Sequence, residues 1–321
     1  MCSDEISSSL FNRLFTFFAD NMATIIHHTT CVCCGSTAIN KVIECKDYTV
    51  SGEFFEVWHC QSCTFRFTQN IPAEDEIGDY YASADYVSHS DTKEGLINRL
   101  YHIVRNHTLT TKKKLINKVT GLDKGKLLDI GAGTGAFSAT MNQAGWQITG
   151  LEPDSKARDK ASELYSLQLQ ELDQLKVLEN GTFDAITLWH VLEHVHELHH
   201  YLETFHKILK ANGRLVIAVP NYTSYDAQVY GQSWAAYDVP RHLYHFSPQG
   251  MEVLLNNQGF ILDETKPMWF DSFYVSLLSE RYKHDGQQRL LPAVITGLLS
   301  NLKALFNNRK CSSVIYIIKK K

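Results

Sequence analysis

A short run ending in an acid and three spaced glycines, Leu127-Leu128-Asp129-Ile130-Gly131-Ala132-Gly133-Thr134-Gly135, leaves this chain few folds to choose from. A hydrophobic strand that breaks into Gly-x-Gly-x-Gly and then enters a helix lets the backbone turn tightly where a Cβ would clash. It also points free helix N–H groups at an anionic ligand. From Lys126 onward strands and helices alternate, the pattern of a parallel sheet with crossover helices. Strands are expected at 126–130, 147–151, 167–170, 183–188, 213–219 and 312–319, and helices at 136–144, 154–165 and 197–210. A long polar-aromatic loop follows at 220–246, after which Ser247-Pro248 opens a helix with serine as N-cap and proline at the first helical position. Gly259-Phe260 begins another strand. The expected fold is α/β, a doubly wound, mostly parallel sheet. Glu152 closes the second strand about twenty residues beyond the loop, where a carboxylate suits the two hydroxyls of a ribose.

Two cofactor classes fit these residues. Gly131-x-Gly133-x-x-Ala136 satisfies the relaxed dinucleotide fingerprint, and Glu152 serves either reading. Asp129 stands two residues before the first glycine, where it can orient the loop, and the dinucleotide pattern does not ask for it. The run Phe183-Asp184-Ala185-Ile186-Thr187-Leu188-Trp189-His190-Val191-Leu192-Glu193-His194-Val195 looks like the fourth-strand signature of class I S-adenosylmethionine (SAM) dependent methyltransferases. From Lys126 to its end the chain resembles that family, particularly the broad group that includes ubiquinone-biosynthesis O-methyltransferases. The resemblance implies a Rossmann-like, seven-stranded sheet in the order 3-2-1-4-5-7-6. It also implies SAM as cofactor, held by Asp129, Gly131, Gly133, Gly135 and Glu152, with Gln170, Glu171 and Leu172 near the adenine and Trp189 at the cofactor's edge. An NAD-dependent enzyme and a non-catalytic SAM- and zinc-binding module are the competing readings.

Ahead of this region, Cys31-x-x-Cys34 and Cys60-x-x-Cys63 flank a segment whose Val42-Ile43 and 54–58 runs read as strands. Two knuckles joined by a hairpin can bring four thiolates to a structural zinc at about 2.3 Å, and four thiolates leave no open position for catalysis. Gly35 suits the knuckle turn, and Cys33 and His59 read as bystanders. A zinc ribbon in front of a methyltransferase domain also resembles a pairing found in a bacterial subgroup acting on sugars and other small metabolites. The expected organisation is a leader at 1–26, a zinc-ribbon-like module at 27–70, a helical connector at 71–120 and a methyltransferase domain at 121–321.

Methyl transfer to a hydroxyl needs alignment and a base. His190, at the end of the fourth strand, is one candidate. His242 and His245 are the others, in an Asp238-Val239-Pro240-Arg241-His242-Leu243-Tyr244-His245-Phe246 run that resembles a recurring element of the same group. Arg241 could bind a carboxylate or phosphate; the competing reading has the whole run bracing its loop. His194, His196, His199 and His200 read as solvated, as does Lys112-Lys113-Lys114 at a helix end.

The partner is expected to be a small-molecule acceptor: an oxygen of a sugar, a phenol or quinone, or a lipid-linked intermediate. A formal charge of -4 with 21% charged residues gives nucleic acid no recommendation. The stretch from Leu10 to Phe18 is short, interrupted by Arg13 and preceded by Asp4 and Glu5, so it is not read as a signal peptide. No segment approaches the ~20 apolar residues of a membrane span, and a cytoplasmic protein is expected. Leu291, Val294, Ile295, Leu298, Leu302 and Leu305 recur at helical spacing. Packing on the chain's own domain, a homodimer interface and a pocket lid are the readings of that helix. Docking on a membrane surface has few basic residues in the helix to support it.

Overall fold

The computed structural model describes residues 24–81 and 96–321, with side chains described from Val104 in the first helix. The apolar stretch at Leu10 to Phe18, most of the leader and part of the connector lie outside the described residues. The strands are β1 (Ile25–Ile26), β2 (Ile39–Lys46), β3 (Phe54–Cys60), β4 (Arg66–Thr68), β5 (Ile71–Pro72), β6 (Lys126–Ile130), β7 (Gln147–Leu151), β8 (Phe183–Trp189), β9 (Leu209–Pro220), β10 (Tyr244–His245), β11 (Phe260–Pro267) and β12 (Ser313–Lys320). The helices are α1 (Leu96–Thr120), α2 (Ala136–Gln143), α3 (Ser155–Tyr165), α4 (Leu198–Ile208), α5 (Tyr225–Tyr230), α6 (Pro248–Asn257), α7 (Asp271–Lys283) and α8 (Leu290–Phe306).

The main sheet runs β11-β12-β9-β8-β6-β7. β7, β6, β8, β9 and β11 all run in one direction, and β12, inserted between β9 and β11, runs antiparallel to both of its neighbours. This is a Rossmann-like mixed sheet of six strands, which corrects the seven expected above. The missing member is 167–170, which contributes one isolated bridge, Leu151 to Gln170. Its cause is local. Ser166 caps α3 in the left-handed region (φ 54°) and a 3₁₀ turn begins at Leu172; between them only Gln170 pairs with β7, its N–H donating to the Gly150 carbonyl and its carbonyl accepting the Glu152 N–H.

The apolar faces of β6 and β8 are sealed by α1 and α2 on one side, through Ile116, Leu127, Phe137, Met141 and Trp146. On the other side Leu128, Ile130, Ile186 and Leu188 join α4, α6 and the cysteine region in one continuous core. The segment at 220–246 is more ordered than a loop: it holds α5, two 3₁₀ turns and β10. β10 pairs antiparallel with β4, so the order β10-β4-β3-β2 unites the cysteine hairpin with the segment after β9. Arg241 clasps the same junction. Its guanidinium is buried and donates to Asp238, to Asp47 in the β2–β3 turn and to the carbonyl of Tyr80. It is therefore a brace inside the protein, and the carboxylates it binds are the chain's own.

Candidate functional site

The glycine loop is fastened from three sides. Asp129 is buried at the end of β6 and accepts from Ser138 Oγ of α2 (2.7 Å) and Thr187 Oγ1 of β8 (2.8 Å). Burial raises its pKa to about 6 against the pull of those two hydroxyls. The acid thus orients strand, loop and helix together. Gly131 (φ +64°) lies where a Cβ would come within 2.4 Å of Val191 Cγ2, so only glycine lets the loop meet the turn after β8. Gly133 (φ +54°) has nothing within 4 Å on its Cβ side, leaving open space over the loop. Gly135, also left-handed, caps α2.

Glu152 faces the loop from the end of β7. Its Oε2 accepts the Gly133 N–H at 2.7 Å and its Oε1 the Asp154 N–H at 3.0 Å. Burial raises its pKa. Gln170 is bonded through its backbone to Gly150 and Glu152. Glu171 is held at 2.9 Å by Arg158, which also donates to the Glu152 carbonyl. Glu171 and Leu172 line a cavity of about 420 Å³ with Pro153, Leu175, Glu197 and Tyr201.

Trp189 ends β8 edge-on to Phe137 of α2, with its Nε1–H buried and unpartnered. Lys112 lies over this indole, its Nζ 4.1 Å from the ring centroid. It is not the solvated helix end expected above. Burial pushes its pKa down to about 8, against the attraction of Asp271 and Asp129. The sequence did carry a signal, because Leu109, Lys112, Ile116 and Val119 fall on one helical stripe and Ile116 is fully buried.

His190 follows Trp189 with φ +58°. Its Nε2 is 2.9 Å from Asp271 Oδ2 of α7, and its Nδ1 is 3.4 Å from Glu193 Oε1. Burial opposes the charged ring, but Asp271 and then Glu193 outweigh it and raise the pKa to about 10. The charged imidazolium is therefore the favoured form, flanked by the two carboxylates. No motif announces Asp271, since it arrives from an element about eighty residues away. Asp271→Asn should return the His190 titration by at least one unit toward neutrality, read from its imidazole NMR shifts. An unchanged midpoint would mean that Asp271 does not set it.

The other histidines part ways. His245 sits in the β10–β4 seam, with Nε2 3.1 Å from Thr68 Oγ1, and burial drives its pKa well below the usual value. His242 Nδ1 is 2.9 Å from the Ala236 carbonyl, and its ring meets His194 edge-on at 4.6 Å. His194 is not solvated: its Nδ1 lies 3.0 Å from the Arg241 carbonyl, and burial lowers its pKa to about 4. His196 and His199 bond the carbonyls of Pro72 and Val32, bracing the cysteine region, and only His200 is exposed. Glu193, His194 and His242 offer ligand atoms within 4.8 Å of one another and could hold a metal ion, and both Glu193 oxygens are buried without a hydrogen bond.

Cys31, Cys34, Cys60 and Cys63 converge so that all four Sγ lie within 4.8 Å. Cys31–Cys63 and Cys34–Cys60 are each 3.6 Å apart, far beyond a disulfide and close to the ~3.8 Å edge of a tetrahedron with 2.3 Å metal–sulfur bonds. The two knuckles match. Gly35 N–H bonds the Cys31 carbonyl and Thr64 N–H that of Cys60, with Gly35 and Thr64 both left-handed. Cys33 Sγ turns away to the Gly250 carbonyl.

These features agree with what the chain is similar to. A ubiquinone biosynthesis O-methyltransferase of Xanthomonas axonopodis pv. citri (strain 306) is 26% identical over 160 residues, 46% of this chain and 66% of that protein. The mitochondrial enzyme of the same name from Schizosaccharomyces pombe is 28% identical over 134 residues, 39% of this chain and 49% of that one. The chain thus spans between half and just under two thirds of these relatives. The crystal structure of magnesium protoporphyrin IX methyltransferase from Synechocystis PCC 6803 with bound SAH has a TM-score of 0.50 at 14% identity, covering 78% of this chain and all of that one, a likeness of fold. A profile described as a methyltransferase domain matches residues 104–265, half of the chain, and with the sheet and loop described above the chain belongs to the class I methyltransferase family.

Proposed function

We propose that this chain transfers a methyl group from SAM to an oxygen of a small-molecule acceptor. The observation that carries the reading is the Gly133–Glu152 bond beneath the open space over Gly133. A carboxylate pinned there by backbone N–H groups stands ready for two vicinal hydroxyls, and the left-handed glycines keep the space clear. Asp129, Gly131, Gly133, Gly135 and Glu152 form the cradle, and Gln170, Glu171 and Leu172 flank the adenine. The Lys112 ammonium, with no carboxylate of the described residues in bonding range, and the unpartnered Trp189 N–H suit the cofactor's carboxylate end. The bound sulfonium supplies an activated methyl, so the protein's part is alignment and exclusion of water.

Of the three candidate histidines, His190 is the one we assign to the acceptor, as a charged group that positions it and not as the base, because its pKa is raised to about 10. It stands beside the loop at the strand's carboxyl end, where open α/β sheets bind ligands, and Asp271 fixes its ring. His242 and His245, both buried against β4 and the Arg241 clasp, serve the scaffold in this reading. The acceptor class, a sugar, a phenol or quinone, or a lipid-linked intermediate, takes only weak support from the ubiquinone O-methyltransferase relatives.

Calorimetry tests the assignment. SAM should bind, NAD should not, and Glu152→Ala and Lys112→Ala should each weaken SAM by about tenfold or more, the loss of one charge-assisted contact. Binding of NAD in place of SAM would replace this reading with a dehydrogenase. Binding of SAM with no S-adenosylhomocysteine released on any acceptor tried would favour the non-catalytic module.

We further propose that residues 27–70 hold a structural zinc on Cys31, Cys34, Cys60 and Cys63. Metal analysis of the purified chain should give about one zinc per chain, and strong chelation should lower the thermal midpoint. A content well below one removes the zinc, and a content near two would put a second ion on Glu193, His194 and His242.

A further inference from the structure

The α8 helix is inside out. It turns Ala293, Thr296, Gly297, Ser300 and Ala304 toward the protein and leaves Leu291, Val294, Leu298, Leu302, Leu305 and Phe306 outside, the last 88% exposed. Gly297 gives the reason: a Cβ there would lie 2.8 Å from the Phe273 ring and 3.2 Å from Phe273 Cα. α8 is drawn close onto α7 through its small residues, so the large ones have only the opposite face. Single exposed leucines need no explanation, but an unbroken row along the whole length of a helix does. The row continues at the start of α7, where Trp269, Phe270 and Tyr274 are also exposed.

Charge around this face is one-sided. α8 has no acidic residue and carries Lys303, and exposed Lys283, Arg289 and Lys310 lie beyond its ends, with Asp285 the exposed acid in the stretch. Acids on the packed elements are engaged: Asp226 beneath α8 accepts from Ser300, Ser312 and Trp234, Glu280 is buried beside His284, Glu252 pairs with Arg309 and Asp271 with His190.

We propose that this face docks the protein on the surface of an anionic phospholipid bilayer. Leu298, Leu302, Leu305 and Phe306 enter the acyl boundary, and Arg289, Lys303 and Lys310 meet the phosphates. No described helix is long and apolar enough to cross a membrane, so α8 lies in the interfacial plane. A second copy of the chain is the poorer occupant. A twofold interface would set Lys303 and the two basic ends against their own copies, with Asp285 the one exposed acid of the stretch to answer them. α7 carries Asp271 to His190 at one end of the same face, so docking turns the end of β8 toward the lipid.

Flotation of the full chain with vesicles of phosphatidylcholine, alone or mixed equally with phosphatidylglycerol, tests this, alongside sedimentation velocity without lipid. The chain should float with the mixed vesicles, far less with phosphatidylcholine, and less at high salt. The Leu298→Glu/Leu302→Glu variant, altered only at exposed positions and checked for an unchanged melting temperature, should lose about tenfold or more in partitioning. Arg289→Glu/Lys310→Glu should lose the preference for anionic vesicles. Absence of binding to either vesicle, or unchanged flotation of the leucine variant, overturns the proposal. So does a lipid-free dimer that the leucine variant turns into monomer, which would give the face to a second copy.

Discussion

Gly131→Ala should weaken SAM binding by about ten- to a hundredfold, the scale of losing a charge-assisted contact worth about 1.5–3 kcal/mol. The added methyl would stand 2.4 Å from Val191 Cγ2, and Val191 has little room to yield, because its carbonyl holds the His194 N–H and Glu193 behind it is buried. The loop must move instead, away from the Glu152 carboxylate it donates to. Gly133→Ala is the informative contrast. Its Cβ meets nothing in the protein, so the fold loses only the ~1–2 kcal/mol of a left-handed alanine. That Cβ points into the open space over the loop, and cofactor binding should still suffer. Calorimetry gives the affinities, and the indole and imidazole NMR signals of Trp189 and His190 report the turn after β8. These should shift in Gly131→Ala and stay in place in Gly133→Ala. Wild-type affinity in Gly131→Ala would detach the loop from the cofactor.

The contrast also marks what a linear sequence discloses. β6 and β7 are where hydrophobic runs bounded by glycine and acid put them, because their ends are fixed by local chemistry. The strand expected at 167–170 shrinks to a single bridge at Gln170, between the left-handed Ser166 and the 3₁₀ turn at Leu172, and the apolar run announces neither. Lys112 was misread by composition: three lysines in a row look like a solvated end, while the helical phase of the first one points it at Trp189. The four cysteines were legible as a set because a tetrahedral ion asks for paired, spaced thiolates. Invisible were pairings between distant segments. Nothing in Tyr244-His245 announces that it will lie beside Arg66 and Phe67, or that Asp271 will reach His190. Such contacts are set by the closing of the whole sheet, and no local period encodes them.

Arg241 is where that long-range closure should prove most costly to break. Arg241→Ala is expected to lower the free energy of unfolding by about 3–5 kcal/mol, the cost of stranding buried charge after one partner is removed. Two carboxylates lose their counter-charge: Asp47, fully buried in the β2–β3 turn and left with the N–H groups of Thr49, Val50 and Ser51, and Asp238, in the segment leading to β10. Burial alone would raise the pKa of each, and in the wild type Arg241 outweighs it and holds both below the usual carboxylate value. Their contribution to stability is therefore fully present above the unfolded pKa of about 4 and fades only as pH falls through the lower folded values. In the variant that stabilisation shrinks. Both pKa values rise without the guanidinium, Asp47 the less because it keeps its backbone N–H bonds, so the loss relative to wild type is largest where both carboxylates are charged and falls as they take up protons toward pH 4. Urea titrations at the two pH values should find the gap between wild type and variant wide at pH 7 and narrower at pH 4. Arg241→Lys should recover only part of it, since one ammonium cannot bond Asp47, both oxygens of Asp238 and the Tyr80 carbonyl together. If the residue were poised to bind a ligand anion, the variant would keep its stability and the gap would not depend on pH. The burial of the guanidinium and its four bonds within the chain predict the opposite.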